Sequence, residues 1–253
     1  MQRIVAALTE QQDELSGLLA DLDLDGWALP SACPGWSVAD VVLHLAQTNE
    51  MATASARGDL GAALAQLTEG LDPTAGDIDD GAALLVEHQR GAPSSEVRAR
   101  WARSCGDLRA ALLGCAPADR LTWVAGGLAA RTLATTRLAE TWIHAGDVAS
   151  GVGVELVPTD RIWHIARLAW RTLPYAFARA GLRAPGPVAF ELTAPSGASW
   201  SFRPDGGDAP TIVRGTGHDL CLAASRRVLA SDTALVGDGP DAADVLAVIR
   251  TWA

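Results

Sequence analysis

Between about Thr132 and Val152 the chain is apolar or small around most of the circumference of a helix, yet one narrow line of it is charged. Leu138, Trp142, Ile143 and Ala145 cover wide arcs, so a helix here is buried on most sides. Arg137, Glu140, His144 and Asp147 recur every three or four residues and stack along a single stripe. Unpaired charge is expensive to bury, so the fold must set a second polar surface against that stripe. The stretch from Ser37 to Arg57 supplies one: Asp40, His44, Gln47 and Thr48 fall on one line of a helix that Ser37 is placed to cap. Two such helices facing each other across a bundle can satisfy their stripes through a shared metal.

His44, Glu140 and His144 carry the chemistry of that arrangement. Two imidazoles and a carboxylate hold a divalent cation from one side and leave its other positions open, as a catalytic centre requires. Glu140 and His144 are four residues apart and so share a helical face. A Glu–His pair at this spacing is also a common solvated surface pair, and spacing alone does not bring the two helices together. His88, His164 and His218 have no partner at metal-ligand spacing in the sequence.

The first 155 residues read as a bundle of four long helices. One runs from about Gln2 to Asp23, the second starts at Ser37, and the third runs from Ser94, with capping chemistry, to about Gly114. The fourth follows the breaks at Pro117 and Gly126-Gly127. A short helix precedes a loop over residues 70–77. From about residue 156 the pattern changes to a small α+β domain. A helix is expected over about Asp160–Ala180, then strands at Pro187–Thr193, Ser199–Phe202 and Thr211–Arg214, with a hairpin turn at Pro195-Ser-Gly. A helix from Gly217 to Leu229, a strand at Ala234–Val236 and a helix from Asp241 to Trp252 complete it. The expected class is therefore mainly α, as α+β.

Composition narrows the partners. The net charge of −10 argues against nucleic acid, since no broad basic surface faces the phosphates. All twenty basic residues are arginine, which excludes a lysine Schiff base or a P-loop lysine. No apolar run is long enough to span a membrane, and the N-terminus turns polar too early for a signal peptide, so a cytoplasmic protein is expected. Cys33, Cys105, Cys115 and Cys221 are far apart with no C-x-x-C, as in reduced structural thiols. Pro34-Gly35 after Cys33 makes a turn into the Ser37 cap, which gives Cys33 a structural reading. Trp27, Trp36, Trp101, Trp123, Trp163 and Trp170 read as packing residues.

Taken together, Cys33-Pro-Gly-Trp-Ser-Val-Ala-Asp-Val-Val-Leu-His44-Leu and Arg137-Leu-Ala-Glu140-Thr-Trp-Ile-His144-Ala-Gly-Asp147 resemble the mycothiol-dependent maleylpyruvate isomerase family, within the DinB-like metal-binding bundles. The resemblance extends over nearly the whole chain. It implies a DinB-like four-helix bundle holding a divalent metal, typically zinc (Zn2+), on His44, Glu140 and His144, with mycothiol as cosubstrate. It also implies an arginine supplied by the C-terminal domain. The corresponding stretch is Asp219-Leu-Cys-Leu-Ala-Ala-Ser-Arg226-Arg227, in which Arg227 aligns better than Arg226.

The activity so implied is cis–trans isomerisation or S-transfer on a small unsaturated or electrophilic substrate. A thiol beside the metal loses its proton near neutral pH and adds to an activated double bond. The fate of the adduct separates isomerase from transferase. Arg227 or Arg226 would hold a substrate carboxylate, and Asp147 or Asp40 would orient a ligand imidazole. Two rivals share the residues: a metal enzyme that uses no thiol, for hydrolysis, lyase or rearrangement chemistry, and a non-catalytic metal-stabilised binding protein. The expected partners are small molecules, in a monomer or homodimer.

Overall fold

The computed structural model describes residues 1–71, 78–124 and 126–251. The chain divides into two compact units, Met1–Leu156 and Val157–Ala253. In the first, α1 (Gln2–Ala20), α2 (Leu24–Ala28), α3 (Val38–Arg57), α4 (Leu60–Leu67), α5 (Ile78–Gln89) and α6 (Ser94–Leu113) come in order. A hairpin of β1 (Arg120–Trp123) and β2 (Gly126–Ala129) leads into α7 (Ala130–Gly151). Helices α1, α3, α6 and α7 form the four-helix bundle, with α3 and α1 each packed on both α6 and α7. Its core includes Leu15, Leu19, Val41, Leu45, Trp101 and Val148, all nearly or fully buried. Full burial of each such aliphatic side chain is worth about 1.5–3 kcal/mol.

Several boundaries differ from the sequence expectation. The first helix ends at Ala20 because Asp23 starts a separate one, accepting from the Gly26 N–H at 2.8 Å. At α6 neither Ser94 nor Ser95 caps the helix; Pro93 precedes it without a side-chain cap. Gly126-Gly127, expected only as a break, lies in the hairpin, with Gly126 at φ +107°. Helix α5 was not foreseen. The loop expected over residues 70–77 lies, beyond Leu71, outside the described residues, as does Trp252 at the end of the last expected helix.

The burial of α7 follows its sequence: Leu133, Leu138, Ile143, Ala145 and Val148 are buried on several sides. At its end Gly151 permits a close approach, since a Cβ there would lie 2.5 Å from the Pro30 carbonyl oxygen. This contact and a hydrogen bond from the Ala32 N–H to the Asp147 carbonyl at 3.1 Å fix the loop before α3 against α7.

The second unit is α+β. A 3-10 turn at Asp160–Ile162 leads to α8 (Trp163–Arg171) and α9 (Leu173–Arg179), where one helix was expected. Pro174 lies in the first turn of α9, where a missing N–H is tolerated, and Thr172 turns its hydroxyl back to the Leu168 carbonyl. Strands β3 (Val188–Thr193), β4 (Ser199–Phe202), β5 (Thr211–Thr216) and β6 (Val236–Asp238) form a sheet of order β4-β3-β5-β6. β3 pairs antiparallel with β4 and parallel with β5. Helices α10 (Gly217–Ala224) and α11 (Ala242–Val248) are shorter than expected. No helix among the described residues is long and apolar enough to cross a membrane.

Candidate metal centre

The site is built where α3 and α7 face each other. Ser37 and Asp40 form a reciprocal capping box: the Ser37 hydroxyl accepts from the Asp40 N–H at 3.2 Å, and the Asp40 carboxylate accepts from the Ser37 N–H at 2.9 Å. His44 follows one turn later on the same face. From α7, Glu140 and His144 project toward it.

The three expected ligands come together. Glu140 Oε2 lies 4.0 Å from His44 Nε2 and 3.7 Å from His144 Nε2. These separations are too long for hydrogen bonds, but they suit a first-row cation between the atoms, bonded at about 2.0–2.2 Å to each. The ring centroids of His44 and His144 are 5.0 Å apart. Both imidazoles are buried, and the Glu140 side chain is the most exposed of the three at 19%. The donor set of two nitrogens and one carboxylate oxygen fits a divalent ion such as zinc.

Asp147 supports this set from behind. Its Oδ2 is 2.9 Å from His144 Nδ1, so His144 carries its proton there and presents the Nε2 lone pair to the centre. The same Oδ2 accepts from the Cys33 thiol at 3.0 Å. Cys33, His144 and Asp147 also have the residue types of a metal site. Their mutual distances of 2.9–3.6 Å are those of groups already satisfying one another. Asp40 does not orient an imidazole: it is occupied by the helix cap and by Arg90 Nε at 3.1 Å.

Sequence reasoning missed two neighbours of the ligands. Trp36, read as packing, has its ring 5.1 Å from His44 and 6.5 Å from His144. Cys33, read as part of a turn, also contacts Asp147 and lies beside His144. The turn is real, with Gly35 at φ +79° and the Trp36 N–H on the Cys33 carbonyl. The available signal was the short distance in sequence from this turn to the cap of the His44 helix.

The electrostatics favour a site ready to receive a cation. Burial, reinforced by His144, lowers His44 to about 4, against an opposing pull from Glu140. Burial alone would raise the Glu140 carboxyl, but His44, His144 and Arg137 together hold it at about 2. In metal-free protein His44 is thus neutral in the fold and titrates near 6.5 when unfolded. Between those values the unfolded chain binds the extra proton, so stability falls as pH drops from 6.5 toward 4, by at most about 1.4 kcal/mol per pH unit for this group. In an NMR titration of metal-free protein the His44 ring resonances should show no inflection between pH 8 and 5. A midpoint near 6.5 would contradict this environment.

Arg137, on the same stripe, is 2% exposed. Its Nη2 donates to Thr48 Oγ1 at 2.8 Å, while its Nε is buried without an acceptor. Such an orphaned donor costs about 1–3 kcal/mol.

Arg226 and Arg227 belong to the second unit, at the end of α10, and both are exposed. Their N–H groups close the helix on the Ala223 and Leu222 carbonyls, with Arg226 in the left-handed region at φ +60°. This is a Schellman closure with arginine where glycine is usual. Arg226→Gly is expected to stabilise the unit by about 1 kcal/mol, raising Tm by a few degrees in a calorimetric scan. An unchanged or lowered Tm would contradict strain at this position.

Comparison with known proteins agrees with the fold and motifs. Two uncharacterised proteins, from two strains of Mycobacterium tuberculosis, are 34% identical over 250 residues, covering 98% of this chain and 95% of theirs. Crystal structures of the mycothiol-dependent maleylpyruvate isomerase and of a histidine-to-alanine mutant superpose with TM-scores of 0.59 and 0.62. Each comparison covers 94% of this chain and 95% of the other, and at 17% and 16% identity it establishes a common fold. Residues 8–149 match the family model for the mycothiol maleylpyruvate isomerase N-terminal domain, and the chain belongs to that family.

Proposed function

We propose that this protein is a divalent-metal-dependent enzyme that uses a low-molecular-weight thiol, mycothiol, for cis–trans isomerisation or S-transfer on a small unsaturated or electrophilic substrate. The observation that carries this reading is the convergence of His44, Glu140 and His144 from two helices, backed by the Asp147–His144 hydrogen bond. These three residues would hold the cation, most plainly zinc. When bound, it supplies a Lewis acid that keeps a thiol deprotonated near neutral pH.

The protein's own groups set the rest. Asp147 holds the His144 proton on Nδ1 and fixes the ring. Trp36 and the buried walls of α3 and α7 exclude water from one side of the centre, which strengthens electrostatic interactions there. Arg227 or Arg226 would bind a substrate carboxylate and stabilise the enolate charge that develops when a thiolate adds to an enone acid. Addition turns the double bond into a rotatable single bond. Rotation and thiolate expulsion give the trans isomer, and a stable adduct gives S-transfer.

The test is spectroscopic. Cobalt-substituted protein titrated with mycothiol should show a change in its visible spectrum, saturating at one thiol per chain. No thiol effect, with cobalt bound, would exclude the thiol and leave metal chemistry without it. A cation with no exchangeable position would favour a binding protein.

A further inference from the structure

One of the four cysteines is placed unlike the others. Cys115 and Cys221 donate to backbone carbonyls, and Cys105 accepts from the Asn49 amide. Cys33 instead donates to a buried carboxylate, Asp147 Oδ2 at 3.0 Å, and its Sγ lies 3.6 Å from His144 Nδ1. The same Oδ2 is 2.9 Å from His144 Nδ1. Sulfur, oxygen and nitrogen thus converge beside Nδ1 of the His144 ring, whereas Nε2 is the atom that faces Glu140. Cysteine, histidine and aspartate are all ligands of zinc and of related divalent ions.

As they stand, the three groups satisfy one another through two hydrogens, one on Sγ and one on Nδ1, both directed at Oδ2. Asp147 is 3% exposed, so a change in the net charge of the cluster is costly. Exchange of the two protons for one divalent cation leaves that charge unchanged. Asp147 is an anion throughout, and Cys33 and His144 each give up one positive charge while the cation brings two. A tetrahedral zinc bonded at about 2.0–2.3 Å to each atom spaces its ligands by roughly 3.3–3.6 Å. The Sγ–Nδ1 separation already has this value, and Oδ2 must move about 0.5 Å away from the other two atoms. Cys33 lies half-buried on a turn outside any helix, so its side chain can follow and water can reach a fourth position.

We infer that Cys33, Asp147 and His144 form a second cation site, for a thiophilic divalent ion such as zinc, cadmium or cobalt, joined to the first centre by the His144 ring. On binding, the Cys33 S–H and His144 Nδ1–H bonds break and both protons go to solvent. Bonds from Sγ and Nδ1 to the cation take their place, with no change of oxidation state. The first centre fills before this one, because imidazole lone pairs and a carboxylate have no proton to lose and a thiol has. The second site is therefore one that an excess of such an ion occupies, and an ion there withdraws Asp147 from its hold on a ligand of the first. The three donors of the second site converge whether or not His44 and Glu140 hold a cation.

The experiment is an anaerobic titration of the full chain, stripped of metal by a chelator, with cobalt(II). It is read in the near-ultraviolet, where thiolate bound to cobalt gives an intense charge-transfer band and nitrogen and oxygen ligands do not. In wild type the band should grow with the second equivalent and saturate at two cobalt ions per chain. Cys33→Ser should lose the band and bind one cobalt, and Cys33→Ala serves if the serine variant does not fold. His44→Ala, which removes a ligand of the first centre alone, should keep the band and saturate at one cobalt. No band in wild type with cobalt in excess, a band of wild-type intensity in Cys33→Ser, or its loss in folded His44→Ala would overturn the second site. A band retained in His44→Ala beside an undiminished two equivalents would instead remove His44 from the first centre and leave the second standing.

Discussion

Glu140→Ala is expected to release the divalent cation and abolish turnover while the helical circular dichroism of the protein is retained. In the proposed centre Glu140 would supply the oxygen ligand between two imidazoles that are 4.0 and 3.7 Å away, and the negative charge that counters the cation. Loss of a supporting residue outside the ligand set typically costs about 10–100-fold in metal affinity, so removal of a ligand should exceed that range. Alanine is a good helix former, which leaves α7 intact. Competition with a chromogenic chelator reads the affinity. Wild-type affinity and rate in the variant would remove Glu140 from the centre.

Asp147→Ala should have the second-largest effect. Its carboxylate fixes the His144 tautomer and receives the Cys33 thiol, so the variant loses the orientation of one ligand and the tie to the Cys33 loop at once. Metal affinity should fall about 10–100-fold by the same chelator assay. Asp40→Ala provides the contrast. It removes half of the α3 capping box and the Arg90 pair, and should cost about 1 kcal/mol of stability with little change in metal affinity. Equal effects of the two substitutions on the metal would mean that Asp147 acts only through the fold.

The polar stripes of α3 and α7 were legible because burial is periodic: an apolar helix with one charged line has few places to put it. That logic singled out His44, Glu140 and His144 and marked Asp147, while the meeting of the two helices is a matter of tertiary packing. It failed for Asp40, because stripe membership does not reveal that a side chain is already used by a cap. It missed Cys33 and Trp36 because irregular loops have no period, and their placement depends on tertiary ties such as the close approach at Gly151. The orphaned Nε of Arg137 was equally invisible, since a sequence shows which residues are charged and not which hydrogen bonds they lack. In the second unit, alternation found β3 and β4 and placed a strand at β5, but not the parallel pairing of β3 with β5, which depends on a crossover. Helix lengths there were overestimated where Thr172 and Arg226 interrupt continuous apolar patterns.

The most direct measurement is metal content by mass spectrometry on tag-free wild type and His44→Ala prepared in parallel. His44 lies on α3, far in sequence from the two proposed ligands on α7, so its loss tests whether the helices meet at one cation. About one zinc or other divalent ion per chain in wild type, lost in the variant, is the predicted result. No metal in wild type, with none taken up on titration, or equal metal in both proteins, would contradict a centre built from His44, Glu140 and His144.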